Sequence, residues 1–355
     1  MAKLISIEDI KKSFSEILQS SHINFLLGSG ASLPAIKTVG NIENEVTKLY
    51  EEDKDDEANK NIYQFISGIQ EATNRILDIE YRDLLREEDD FDKNIDEALK
   101  VYQDFLGKLE DILIARETNI IPKQANIFTT NYDLFIEKAS EIYHNTKLND
   151  GFGRGCKLDC NFEFSTSNFF NSVRNNGNLY GYEVILPSVN LIKIHGSMSW
   201  KKSKDKINFN VKSKDLLSEE DAKNDDNIKK FIDEYALVLP RKRKLHETVM
   251  DIAYYDLLRI YSNELDRENA VLIVIGFSFS DEHIRDITKR ALKNLTLKII
   301  IFAFDADMAS KFQDIFKENK NVTIVKPNDS ETITFQSVVS DILCITNKRD
   351  SDEQK

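Results

Sequence analysis

The sequence is short of the residues on which small extracellular scaffolds depend. Three cysteines among 355 residues are too few, and odd in number, for a disulfide framework; they suit a reducing compartment. Five prolines and twelve glycines exclude collagen-like and proline- or glycine-rich low-complexity chains. No window of 18 residues is apolar and free of charge, so no transmembrane helix is expected. Basic residues are in deficit, 48 against 61 acidic, for a formal net charge of −13. That balance repels duplex nucleic acid and argues against direct nucleic-acid binding. The first residues carry Glu8 and Glu16 and lack a signal-peptide cleavage pattern, so a cytoplasmic location is expected.

What is present is an ordinary globular composition, 41% hydrophobic and 31% charged. A chain of this length buries about three quarters of its unfolded surface and needs neither metal nor disulfide to fold. Short apolar runs end abruptly in polar or glycine-containing loops. Ile23–Leu27 stops at Gly28, Ala125–Thr130 at Asn131, Asn190–Ile194 at His195, Val271–Ile275 at Gly276, and Leu297–Phe304 at Asp305. Tyr235–Leu239 and Val322–Val325 read as shorter strands. Helical spacing is expected over about 5–20, 134–144, 254–265, 281–292 and 335–344. This alternation predicts an open α/β sheet with helices on both faces. In such sheets ligands sit beyond the carboxyl ends of the strands, where every polar signature of this chain falls.

Residues 41–118 read as a helical insertion after the first glycine loop, with two acidic runs taken as solvated faces. The apolar faces of this insertion and of the helix from Phe335 are the expected interface elements. Residues 145–189 read as a small irregular subdomain crowded with Phe162, Phe164, Phe169 and Phe170. Residues 201–230 read as a surface loop and 346–355 as a polar tail. No internal repeat is visible.

Gly28-Ser29-Gly30-Ala31-Ser32 is a nucleotide-loop candidate, because glycines let backbone approach a phosphate and the N–H groups of a following helix can bind it. The Walker and complete Gly-x-Gly-x-x-Gly patterns are both missing, and a simple strand-end turn is the alternative. In Thr129-Thr130-Asn131-Tyr132-Asp133 the Asn131 amide suits a ribose hydroxyl or a positioned water, while Asp133 has the alternative of capping the next helix. His195 is placed to act as a base, with a structural histidine as the alternative. The other histidines, His22, His144, His246 and His283, read as structural. Gly276-Phe277-Ser278 forms a second glycine loop, and Asp281 after it is also a good helix cap. Asp305 suits ribose hydroxyls. Cys156 and Cys160 form one pair with no second pair, Cys344 stands apart, and no metal is expected. Arg241–Lys244 is a basic run, read as a solvated face.

Taken in order, Gly28–Ser32, Thr130–Asp133, His195-Gly196-Ser197 and Gly276-Phe277-Ser278 resemble the motifs of the sirtuin superfamily. They look most like the sirtuin-like NAD+-hydrolase domains of bacterial anti-phage defence systems. The resemblance spans about 23–330 and implies a Rossmann-like sheet within a catalytic domain over 1–345. It implies NAD+ as substrate, with Asn131 and His195 catalytic. Gly28, Ser29, Gly30, Ala31, Ser32, Thr130, Asp133, Gly276, Phe277, Ser278 and Asp305 are its implied binding residues. The zinc cysteines that follow the catalytic histidine in the family's deacylases are missing here, as is their Asp-Phe-Arg stretch after the first loop. The implied activity is hydrolysis of NAD+ to nicotinamide and ADP-ribose; a protein deacylase and a non-catalytic nucleotide-sensing or assembly module are the rivals. The resemblance also implies a homo-oligomer, with a separately encoded motor ATPase as the partner.

Overall fold

A computed structural model describes residues 2–36, 42–81, 87–116, 121–155, 161–176, 183–203, 206–212, 216–218, 220–239, 249–328 and 331–343. Cys156, Cys160, Cys344, the basic run 241–244 and the tail 346–355 lie outside the described residues. The strands are β1 (Lys3–Ser6), β2 (His22–Leu27), β3 (Gln124–Thr129), β4 (Lys147–Asn149), β5 (Arg174–Asn176), β6 (Glu183–Ile185), β7 (Ser188–Lys193), β8 (Gly196–Ser203), β9 (Lys206–Phe209), β10 (Tyr235–Leu237), β11 (Ala270–Ile275), β12 (Lys298–Phe302) and β13 (Val322–Lys326). The helices are α1 (Ile7–Ser20), α2 (Ile42–Glu51), α3 (Asp55–Leu77), α4 (Asp90–Ile114), α5 (Phe135–Ser140), α6 (Asp225–Asp233), α7 (Val249–Leu265), α8 (Glu282–Ala291), α9 (Ala306–Ile315) and α10 (Phe335–Asp341).

Eight strands form one sheet in the order β1-β13-β12-β11-β2-β3-β7-β4, and every pair in it is parallel. The aliphatic runs are continuous because both faces are covered by helices. From β2 the chain runs outward through β3 to β7, then returns to the other side of β2 as β11. That reversal is the topological switch point of a Rossmann-like α/β fold.

One face of the sheet carries Phe25, Leu27, Ile127, Leu191, Ile273 and Ile300, packed on α1, α4, α5 and α10. The other carries Leu26, Phe128, Ile192, Leu272, Val274 and Ile301, packed on α7, α8 and α9. A third cluster joins α2, α3, α6 and β10 through Val46, Ile62, Ile66, Phe231 and Tyr235. Within 41–118, α4 is thus part of the main core: Phe105 meets Phe25 edge-on at 5.0 Å, and Tyr102 stacks on Phe135 at 5.5 Å. The apolar faces expected to form interfaces are largely spent inside the molecule.

Three local expectations are corrected. The first helix starts at Ile7, not Ile5, because the Ser6 hydroxyl caps it by accepting the Asp9 N–H, and Lys3–Ser6 pair with β13 as an edge strand. The helix expected over 134–144 spans only Phe135–Ser140. The stretch 201–230 holds β9, the end of β8 and most of α6, whose Ile228, Phe231 and Ile232 are buried at i, i+3, i+4 spacing.

A polar ladder pins the far end of the sheet. Asn24, Asn126 and Asn190 lie in register on adjacent strands. Asn126 Nδ2 donates to Asn24 Oδ1 at 2.8 Å, and Asn190 Nδ2 to Asn126 Oδ1 at 2.9 Å. A one-residue slip would break both bonds and turn every strand face over.

Candidate functional site

The loops after β2 and β11 meet at the switch point. Gly28 N–H donates to Ile275 O at 3.1 Å, and Gly30 N–H to Gly276 O at 3.1 Å. A side chain on Gly28 would overlap Gly276 O, and one on Gly276 would lie 2.5 Å from Ala31 N. Gly276 also has φ +65°, a conformation that favours glycine. These glycines therefore let two loops touch. After Gly28 the chain makes only a four-residue 3-10 turn, Ser29–Ser32, where a helix opening was expected. The second loop is anchored by Phe279, 1% exposed, whose ring packs on Phe277, Phe312 and Phe316. Phe279 holds φ +57°, a strained conformation for a bulky residue that costs about 1–3 kcal/mol and that its burial offsets.

Asn131 follows β3 directly and is buried. Its Nδ2 donates to Gly28 O and to Ser32 Oγ, each at 3.0 Å, and its backbone N–H is held by Thr129 Oγ1 at 3.0 Å. Both amide hydrogens are engaged, so the carbonyl end is what the amide has left for a hydroxyl or a water. Ser32 donates its one proton to Asp133 Oδ2 at 2.7 Å. Tyr102 OH, 3.0 Å away, must then donate to Ser32. Burial, with the Asp133 charge beside it, pushes the Tyr102 phenol well above its ordinary value and keeps that proton in place. Ser32 and Asp133 thus brace Asn131. Asp133 Oδ1 also accepts the Phe135 N–H at 3.4 Å.

His195 lies two residues past β7, where the chain turns from the main sheet into the β10-β8-β9 sheet. The turn uses Gly196 at φ +91°; a Cβ there would overlap Ala236 O. The ring neighbours those of Tyr132 and Tyr254, with centroids 6.4 and 6.0 Å away. His195 Nε2 is 3.0 Å from Asp281 Oδ2. Burial of Asp281 works against its charge, but the His195 hydrogen bond and charge, the Ile284 N–H and the His283 charge outweigh it and hold the carboxyl below its ordinary value. Beneath the site, Lys193 Nζ pairs with Glu137 Oε1 at 2.9 Å and donates to the Asp133 carbonyl and Ser197 Oγ.

These groups open on one cavity of about 790 Å³ at the carboxyl ends of the strands, within the range of small-molecule sites. Ser29, Gly30, Ala31, Ser32, Thr130, Asn131, Asp133, His195, Gly276, Phe277 and Ser278 line it. Gly28 sits behind the lining and holds Asn131. Asp305 is not in the lining; its carboxylate accepts the Met308 N–H at 2.7 Å and caps α9. Among the described residues no lysine or arginine lines the cavity, so backbone N–H groups and the hydroxyls of Ser29, Thr130 and the Ser278–Ser280 pair are donors available to an anion. One flank is apolar, formed by Ile42, Ile62, Phe65, Ile69 and Leu239. Among the described residues no cluster of three or more histidine, cysteine or acidic side chains could hold a metal, and no helix is long and apolar enough to cross a membrane.

Sequence reasoning missed the Asp281 partner of His195, the Tyr102–Ser32 brace and the Lys193–Glu137 pair. Asp281 reads in the sequence as the end of the second glycine loop and a helix cap, with nothing to pair it with His195, and Tyr102 looks like any apolar-face residue of a long helix. No curated protein matches the chain. The family described as SIR2-like domain matches residues 125–325, more than half of the chain, from β3 to the end of β13. The first glycine loop precedes that segment and is joined to it by the Gly28–Gly276 contact. The chain therefore belongs to the SIR2-like domain family, whose chemistry is NAD-related.

Proposed function

We propose that this chain is an NAD+ glycohydrolase, converting NAD+ and water to nicotinamide, ADP-ribose and a proton. The observation that carries the reading is the meeting of Asn131 and His195 with both glycine loops on one cavity. The bond broken is that between the nicotinamide nitrogen and C1′ of ribose; its electron pair returns to the ring, which leaves neutral. Cationic character develops on the ribose and must be met by an oriented oxygen. The Asn131 carbonyl orients the ribose hydroxyl or the water. His195 accepts the proton as the water oxygen bonds to C1′. The serine hydroxyls and loop N–H groups hold the pyrophosphate in place of a cationic side chain. Asp133 and Ser32 act by holding Asn131, and Thr130 lines the ribose side. Asp305 is proposed for the adenosine ribose, through the carboxylate oxygen that its bond to Met308 N–H does not use.

We further propose, on the resemblance to defence-system domains, a regulated effector of anti-phage defence acting in the cytoplasm. It would work as a homo-oligomer with a separately encoded motor ATPase, since unregulated loss of NAD+ would be toxic. The apolar flank of the cavity favours one second reading, a deacylase in which an acyl-lysine oxygen attacks the ribose in place of water. One assay separates them: NAD+ loss and ADP-ribose formation by purified protein, alone and with candidate partners, in the absence and presence of an acylated peptide. Hydrolysis without peptide supports the first reading; turnover only with peptide supports the second.

A further inference from the structure

The geometry points to Asp281 as the residue that fixes which nitrogen of His195 carries the proton, leaving Nδ1 as the base of the proposed hydrolysis. This inference rests on that reading for its functional consequence, while the proton's location can be measured without it.

An ionised carboxylate accepts hydrogen bonds and cannot donate them. With Asp281 Oδ2 3.0 Å from His195 Nε2, the proton of the neutral ring belongs on Nε2. The ring has only that proton, so Nδ1 is the bare nitrogen that takes one up. When it does, the imidazolium formed already has a partly buried anion beside it. The side chains of His195 and Asp281 are only 8% and 15% exposed, so water competes weakly for either end of the bond.

Asp281 is itself held firmly. Its Oδ1 accepts the Ile284 N–H at 3.0 Å and caps α8, where the helix dipole favours a negative charge. It follows a loop fixed by the buried Phe279 ring. One carboxylate thus serves two donors, one per oxygen, and ties the loop after β11 to the turn after β7. Asp281 acts through His195 and is a positioning residue.

The double use makes Asp281→Asn informative. An amide has one carbonyl oxygen. If that oxygen keeps the Ile284 cap, the NH2 end faces His195 Nε2 and forces the ring proton onto Nδ1. Asp281→Ser is the companion variant, because serine caps helices well and removes the carboxylate altogether. We expect either variant to cut turnover about 100- to 10,000-fold with KM for NAD+ little changed. In a His195→Ala background, Asp281→Asn should reduce turnover no further.

The independent readout is the nitrogen-15 spectrum of the His195 ring at alkaline pH without NAD+, assigned by its loss in His195→Ala. Protonated Nε2 with bare Nδ1 in the natural protein, and the reverse in Asp281→Asn, supports the assignment. A proton on Nδ1 in the natural protein overturns it. So does undiminished turnover in both folded Asp281 variants, or an equal further loss in the His195→Ala background. If the natural protein shows no NAD+ loss under any condition, the hydrolase reading fails, and the ring spectrum still decides whether Asp281 fixes the tautomer.

Discussion

At the scale of single residues, the site separates groups that face the cavity from groups that hold them. Asn131→Ala removes the ribose- or water-orienting carbonyl, and His195→Ala removes the proton acceptor. Each should lower NAD+ turnover by about 100-fold or more while the protein stays folded, because the apolar core is untouched and the lost buried hydrogen bonds cost only about 1–3 kcal/mol; rate and thermal melts on the same samples check this. A different outcome is expected beneath the site. Lys193 is 4% exposed in its pair with Glu137, and burial pushes the Glu137 carboxyl upward against the opposing pull of Lys193. Lys193→Met strands that carboxylate and should cost about 3–5 kcal/mol of stability, much of it recovered by adding Glu137→Leu; denaturant titration of both variants measures this. Asn131 and His195 could be picked out in the sequence because each is polar and directly follows an apolar run. Their supports could not. Tyr102, Glu137 and Asp281 reach the site only through contacts made after folding, and nothing in their local sequence distinguishes them from a core tyrosine, a helix-face glutamate and a helix cap.

At the scale of elements, the central strands were legible because burial on both faces demands continuous aliphatic runs, and each run stops where a loop must begin. β1, β8, β9 and α6 were not. β1 is a short edge strand whose Leu4 is exposed, and α6 hides three apolar residues in an otherwise acidic and basic stretch. The contact between the loops after β2 and β11 was equally hidden: glycines were read for phosphate approach, whereas the loops need them to reach one another. Gly276→Ala adds a Cβ 2.5 Å from Ala31 N at φ +65°, and neither neighbour is a side chain that can swing away. The expected cost is about 1–3 kcal/mol, with weaker NAD+ binding because the first loop is displaced. Gly68 in α3 is the control. A Cβ there has nothing within 4 Å, so Gly68→Ala should stabilise the protein by about 0.5–1 kcal/mol through helix propensity alone. Thermal melts of the two variants should therefore move in opposite directions; a shift of the same sign in both would refute the loop-contact argument.

At the scale of the whole molecule, three cores, one on each face of the sheet and one in the α2–α3–α6 unit, meet around a single cavity, and stability and site are coupled through them. Metal is expected to play no part in that stability, since the cysteine number and spacing cannot supply four thiolates. Elemental analysis of purified protein should find well under one zinc per chain, and a stoichiometric zinc would overturn the expectation. Acid is expected to act through His22, at the start of β2. Burial first, then the positive charges of Arg267 and Arg116, push its ring down to about 4 from the ordinary 6.5. The folded state therefore binds fewer protons than the unfolded chain between these values, and the unfolded chain gains as pH falls through that window. The associated stability is complete above 6.5, is lost progressively down to about 4, and changes no further below. With His22 only partly buried, solvent screening reduces the effect to about 1–2 kcal/mol. Asp281 works in a separate window: its lowered carboxyl contributes stability above 3.8 that is lost as pH falls below that value. Melting temperatures at about pH 7.5 and about pH 5 should thus differ in the natural protein by clearly more than in His22→Gln, which has no ring to titrate. An equal drop in both would assign the acid sensitivity of the fold to other groups.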